Sequence, residues 1–154
     1  MKHLFLMLLV FAPVDFSFAA PKEPQVLMFT GKVNVNANDG KMVPVKRGQV
    51  LRELAIIETG EKSLVLLALT KSERLFVGPS SRVLLPAISW EDGSVDRIEL
   101  DKGKMRLQNL GSTGRVVVTP ISRDPYSEAD LLFDYDPEPP SLKVSVLEGR
   151  TAFR

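Results

Sequence analysis

Cysteine is absent from the 154 residues, and histidine and tryptophan occur once each, at His3 and Trp90. Without cysteine there is neither a disulfide nor a thiolate nucleophile, and His3 is the only imidazole. Beyond residue 3, a Ser-His-Asp triad and a zinc site built from His or Cys are therefore both excluded. Charge of one sign is also missing: 20 basic residues stand against 19 acidic ones, a formal net of +1, which does not ask for a nucleic acid partner. Long apolar runs are scarce, and the longest, residues 4–12 (LFLMLLVFA), falls well short of the roughly 20 residues that cross a bilayer core of about 30 Å.

That run follows Lys2 and His3 and precedes Pro13, Asp15 and Ser17-Phe18-Ala19. A charged start, a short apolar stretch and small residues at the last and third-last places read as a secretory signal cleaved after Ala19. An uncleaved anchor would have to continue through Pro13 and Asp15. No cysteine follows the cleavage site to carry a lipid. The expectation is an exported, periplasmic or secreted chain with no stable membrane span after cleavage. Cleavage removes Lys2 and Asp15 together, leaving the charge unchanged, and also removes His3.

An exported chain without disulfides must be held together by its core. With 44% apolar residues the composition is globular, and a chain of this length buries roughly two-thirds of its unfolded surface. Alternation places the core on strands. In residues 31–37, Val33, Val35 and Ala37 share one face; Ile98 and Leu100 flank Glu99; Met105 and Leu107 sit among Lys104, Arg106 and Gln108; Leu142, Val144 and Val146 enclose Lys143 and Ser145. Residues 64–69 (LVLLAL) are apolar on both faces, which predicts a central strand covered twice.

Turn signals are dense, among them Asn38-Asp39-Gly40, Lys46-Arg47-Gly48, Thr59-Gly60-Glu61, Gly78-Pro79, Asp92-Gly93, Lys102-Gly103, Asp136-Pro137 and Glu148-Gly149. With no sustained helical period between them, they predict an all-β fold, a single antiparallel-rich β-sandwich or roll of short strands. Residues 89–95 read as a hairpin tip on Asp92-Gly93. Several strands open on glycine, a polar residue and an apolar one: Gly31-Lys32-Val33, Gly48-Gln49-Val50, Gly93-Ser94-Val95, Gly103-Lys104-Met105 and Gly114-Arg115-Val116. Their spacing is irregular, so they are not a fixed-period repeat; each glycine supplies a positive φ or a close backbone approach.

Ser80 and Ser81 sit in a Gly-Pro turn between two apolar runs, a place where a hydrolase holds its nucleophile. Gly78-Pro79-Ser80-Ser81-Arg82 has no glycine in the last place of a G-x-S-x-G elbow, and no histidine is there to take the proton. A Ser-Lys pair, with Lys62 or Lys71 as base, is the one hydrolase reading left. The other reading is a turn in which Pro79 fixes φ and the serines bond local backbone. No catalytic residue and no cofactor is assigned.

The order of Gly31-Lys32-Val33, Gly48-Gln49-Val50-Leu51, Ile57-Glu58-Thr59-Gly60, Leu75-Phe76-Val77-Gly78-Pro79-Ser80-Ser81, Leu100-Asp101-Lys102-Gly103-Lys104, Val118-Thr119-Pro120 and Val146-Leu147-Glu148-Gly149-Arg150 resembles the FecR domain of bacterial envelope proteins. The resemblance divides the chain into a signal peptide at 1–19, a lead-in at 20–30 and a FecR-like β domain at 31–154. It implies a periplasmic β-rich module without catalytic residues, acting as a binding or adaptor domain on an envelope protein or cell-wall component. In the family's sigma regulators a cytoplasmic helical segment and a membrane span precede this domain. No such segment is read here, so the resemblance carries over fold and compartment and leaves the sigma-factor role open. After Thr119-Pro120 the family's Gly-Thr is also missing.

In its place, residues 124–140 crowd Asp124, Glu128, Asp130, Asp134, Asp136 and Glu138. Asp124, Asp130, Asp134, Asp136 and Glu138 are candidate calcium ligands, since calcium takes roughly six to eight oxygens, although the spacing is that of no EF-hand. The competing reading is an exposed hairpin with solvated acids, with Asp134 and Asp136 on one face and Leu131, Phe133 and Tyr135 on the other. Trp90 and Tyr126 are candidate stacking surfaces for a sugar or a partner, with core packing as the alternative. The prolines at 137, 139 and 140 suit an edge strand guarded against unwanted pairing.

Overall fold

Val33 and Val35 turn inward while Asn34 and Asn36 turn outward, and this two-residue period recurs through most of the chain. A computed structural model describes residues 24–36, 39–88, 95–109, 111 and 114–149. Those residues form β1 (Gln25–Thr30), β2 (Val33–Asn36), β3 (Met42–Pro44), β4 (Ala55–Thr59), β5 (Leu64–Ala68), β6 (Glu73–Val77), β7 (Arg82–Ile88), β8 (Val95–Asn109), β9 (Arg115–Thr119), β10 (Ser122–Tyr126), β11 (Ala129–Pro137) and β12 (Pro140–Gly149). No helix occurs among the described residues. The leader expected at 1–19, Ala37, the hairpin tip at 89–94 and Trp90 lie outside them.

The strands join into one curled sheet, a half-barrel, antiparallel except where β9 runs parallel to β8. This is the all-β, antiparallel-rich class expected, in rolled form. One end of the roll carries β1, β5, β6, the second half of β8, β11 and β12; the other carries β3, β2, β4, β7, the first half of β8, β9 and β10. The core fills the inside of the curl. Across the first end, Leu67, Leu75, Leu107 and Leu131 form one cross-strand row and Val65, Val77, Met105 and Phe133 the next. Across the second end, Val35, Ile57, Val83 and Leu100 do the same. Each large side chain in these rows contributes about 1.5–3 kcal/mol of burial.

β8 belongs to both ends and is 15 residues long. The sequence pattern predicts a turn at Lys102-Gly103; the strand instead runs through it, with Gly103 at φ +90°. A register shift between Arg82 and Val83 adds one residue to β8, a β-bulge. Its buried set therefore changes parity, from Ile98 and Leu100 before Gly103 to Met105 and Leu107 after it. An unbroken pleat would have turned one of these pairs outward. The extra residue lets one strand face the core at both ends.

LVLLAL also departs from expectation. Val65 and Leu67 are buried, but Leu64 is 38% exposed and Leu66 only partly covered. β5 lies next to the end strand β1, and among the described residues no second layer covers the outer face.

A β-carbon on Gly103 would stand 2.3 Å from Ser81 Oγ and 2.6 Å from Ser81 Cα, whereas one on Gly40, also at positive φ, would meet nothing within 4 Å. Gly103→Ala is expected to cost about 3 kcal/mol or more from strain plus overlap, and Gly40→Ala about 1 kcal/mol from strain alone, both read from urea unfolding. Equal losses in the two variants would remove the packing argument for Gly103.

Candidate functional site

The Gly78-Pro79-Ser80-Ser81 turn joins β6 to β7 where the chain passes from one end of the roll to the other. Ser81 is 1% exposed. Its Oγ accepts the Lys104 amide at 2.8 Å and lies 2.9 Å from the Pro79 carbonyl and 3.1 Å from the Lys104 carbonyl, to which its proton is directed. Its amide donates to Thr59 Oγ1 at 2.9 Å, and the Thr59 hydroxyl donates to the Gly78 carbonyl at 2.6 Å. Ser81 is thus committed to backbone on both sides. Ser80 is exposed at φ +51°, with its amide bound to the Gly60 carbonyl. Lys62 and Lys71 are exposed, and neither ammonium is among the partners of either hydroxyl. The turn is a joint in the fold.

The acidic segment is the β11/β12 hairpin, closed by a turn with a cis Glu138-Pro139 peptide bond. Leu131, Phe133 and Tyr135 face the core, and Asp134 and Asp136 face out, as alternation predicts. The five candidate ligands are spread out and engaged separately. Asp130 holds Arg106 through two bonds of 2.8 and 2.5 Å, while that guanidinium covers the Phe76 ring at 5.6 Å. Asp134 pairs with Lys104 at 3.1 Å, Asp136 accepts the Glu138 amide, and Asp124, buried on β10, accepts the Ser122 hydroxyl. Glu138 itself is exposed in the turn. No group of three potential metal-ligating side chains occurs among the described residues.

Tyr126 is 4% exposed and packs in the core, so it does not serve as the stacking surface for which it was a candidate. It neighbours a buried ion pair that the turn and acid motifs do not reveal. Glu73 and Arg115, at the starts of β6 and β9, meet at 3.1 Å with both side chains at or below 4% exposure. Glu73 Oε1, Arg115 Nε and the Tyr126 hydroxyl have no hydrogen-bond partner among the described residues. A period-2 signal for the pair did exist: Glu73 shares its face with Leu75 and Val77, and Arg115 shares its face with Val117 and Thr119. Opposite charges at core-facing positions of two strands are a pairing cue.

A concavity lies elsewhere. A cleft of about 540 Å³ opens between the β2/β3 hairpin and the loop at residues 46–54, with Val35 and Val43 on one wall and Val50, Leu51 and Leu54 on the other. The loop is firmly built. The Val26 amide donates to the Gln49 carbonyl and the Val26 carbonyl accepts the Gly48 amide, the Leu51 amide reaches the Pro24 carbonyl, and the Asn36 side chain clamps the loop's end by donating to the Leu54 carbonyl at 2.8 Å and accepting the Ile56 amide at 2.7 Å. Within this frame Leu54 stands at φ +59° with 60% of its surface exposed, and Val50 is 43% exposed. The left-handed region costs a leucine about 1–2 kcal/mol, which is why strain of this kind concentrates at functional surfaces. Nothing in the local composition marks Leu54 in advance.

No protein-family model, curated protein or solved structure matches the chain.

Burial raises the Tyr126 hydroxyl well above the ordinary tyrosine range; the Glu73 carboxylate adds to the shift and Arg115 opposes it. The folded state therefore keeps its proton where the unfolded chain, titrating near about pH 10, loses it. The stability tied to neutral Tyr126 is whole below that pH and falls above it, by up to about 1.4 kcal/mol per pH unit. Urea unfolding between pH 9 and 11 is expected to show a steeper loss for the native protein than for Tyr126→Phe. Parallel curves would contradict this placement of the ring.

Proposed function

We propose that this chain is a non-enzymatic, FecR-like binding or adaptor module of the bacterial cell envelope, exported to the periplasm and acting through contacts with an envelope protein or cell-wall component. One observation carries the reading most directly. The serine pair, the sequence's best place for a nucleophile, is built into the joint between β6 and β7, with the Ser81 hydroxyl buried and bound to backbone. A serine held this way lacks the neighbouring base that would make it reactive. The rest of the support comes from the signal-like start, from the lack of cysteine and of any histidine after His3, and from the order of the turn motifs. No helix among the described residues is long and apolar enough to cross a membrane. The cleft beside Leu54 is an opening lined by apolar and polar side chains together, Val35, Val43 and Leu54 with Asn36, Gln49 and Arg52 among them, and is suited to contact.

The test is in intact cells. The mature chain is expected in the periplasmic fraction with its N-terminus at Ala20, crosslinked to a reproducible neighbour, and Ser80→Ala is expected to keep that crosslink and the melting temperature. Uncleaved protein in the cytoplasm, or a phenotype lost in Ser80→Ala while the fold is retained, would contradict the reading.

A further inference from the structure

We propose that the β9/β10 hairpin is a hinged strap that leaves the sheet and returns to it as one unit while the rest of the roll stays folded. The inference goes beyond the reading of the chain as a contact module and does not depend on it.

The hairpin is self-contained. β9 and β10 pair along their whole length, from Arg115 against Tyr126 to Thr119 against Ser122. Their turn is tied by its own side chains, since Thr119 Oγ1 accepts the Ser122 amide at 3.1 Å and the Ser122 hydroxyl donates to Asp124 at 2.8 Å. The attachment to the sheet is slight by comparison. Among the described residues β10 pairs with β9 alone, and β9 joins the sheet only where Val116, Val117 and Val118 lie beside Arg97, Ile98 and Glu99 of β8. That ladder is parallel, and parallel pairing is the weaker kind per residue.

The seam also gathers the unpaired polar groups. Glu73 Oε1, Arg97 Nε, Arg115 Nε and the Tyr126 hydroxyl are the buried side-chain atoms without a hydrogen-bond partner among the described residues. All belong to this joint. Arg115 and Tyr126 face each other across the hairpin, Arg97 lies on β8 beside Val116, and Glu73 is the β6 residue that Arg115 reaches at 3.1 Å. A buried polar atom left unpaired regains its hydrogen bonds in water, so all four groups oppose closure at one place. Burial of Val117 and of the Tyr126 ring holds the strap shut, together with the attraction of Glu73 for Arg115.

Opening returns both ions to water together, unlike a misplaced β9, which leaves Glu73 alone in the core. Buried ion pairs are best attested in such register and switching roles. The ends of the hairpin suit a hinge: Gly114 precedes β9, and Glu128, already at φ +47°, stands between β10 and β11. An open strap uncovers the edge of β8 at Arg97, Ile98 and Glu99, which among the described strands β9 alone covers.

Native-state hydrogen exchange in low urea tests this, comparing the protected amides of β9 and β10 with those of the second half of β8 and of β11. The hairpin amides are expected to share one exchange rate, about a hundred-fold or more above the others, with a urea slope well below that of global unfolding. Val65→Ala, in a core row away from the hairpin, is expected to speed the β8 and β11 amides about ten-fold or more and to leave the hairpin amides as they were, because the open and closed forms lose the same packing. Tyr126→Phe removes an unpaired hydroxyl from the closed form and is expected to slow the hairpin amides about three-fold or more. The proposal is overturned if the hairpin amides exchange no faster than those of β11, if they exchange one by one with no common urea slope, if Val65→Ala speeds them with the rest, or if Tyr126→Phe fails to slow them.

Discussion

Two buried serine hydroxyls that each accept a lysine amide hold the curl of the sheet. At one corner, Gly31 at φ +73° turns the chain from β1 to β2, the Lys32 amide donates to Ser63 Oγ at 2.8 Å, and the Gly60 amide donates to the Lys32 carbonyl at 2.9 Å. At the other, Gly103 at φ +90° bends β8, the Lys104 amide donates to Ser81 Oγ at 2.8 Å, and the Gly78 amide donates to the Lys104 carbonyl at 2.8 Å. The same Gly-Lys step meets the same Gly-x-x-Ser turn twice. The two turns also bind each other, through the Ser80 amide on the Gly60 carbonyl and the Thr59 amide on the Ser81 carbonyl. The absence of a β-carbon is part of each joint, because one on Gly31 would stand 2.4 Å from Ser63 Oγ. The passages from β1 to β2, from β4 to β5 and from β6 to β7, and the crossing of β8 from one end to the other, all use these corners, so the core rows of those strands are in register only while both corners hold.

Much of this was legible in the sequence, and the parts that were not share a cause. Alternation found the inward faces of β2, β8 and β11 because each strand buries one face only, the condition under which a period of two is visible; on β12 it holds only for Leu142 and Val144, which are partly buried against the core, while Val146, expected on the same face, is 45% exposed. The same rule read β8 as two strands, since the bulge at Gly103 shifts parity in mid-element. It also overestimated the cover on β5, where Leu64 and Leu66 face outward without a second layer. The serine turn was legible as a turn. Its partners were not, because Lys104 lies 23 residues away and Thr59 lies 22 away. Glu73 and Arg115 could have been paired by parity but are 42 residues apart. Leu54 was beyond reach, since a positive φ on a leucine follows from the Asn36 clamp and from nothing local.

An open curled sheet leaves end strands, and each is treated differently. β12 begins with Pro140 and carries Lys143 and Glu148; β3 is three residues long and finishes on Pro44; β10 carries Arg123 and Pro125; the start of β1 is bridged by the 48–51 segment. Proline, charge and brevity all discourage pairing with another chain. The buried Glu73/Arg115 pair adds specificity of another kind. Its net energy is small beside the cost of desolvating both ions, but leaving either ion alone in the core would cost about 3–5 kcal/mol, so it penalises any arrangement in which β9 does not meet β6.

The corners can be tested through the two lysine amides. Native-state hydrogen exchange is expected to place Lys32 and Lys104 among the slowest amides of the protein, exchanging only with global unfolding, and Ser63→Ala and Ser81→Ala are each expected to release the matching amide and to cost about 2 kcal/mol of stability. Fast exchange at both lysines in the native protein, or full stability in both serine variants, would contradict the account.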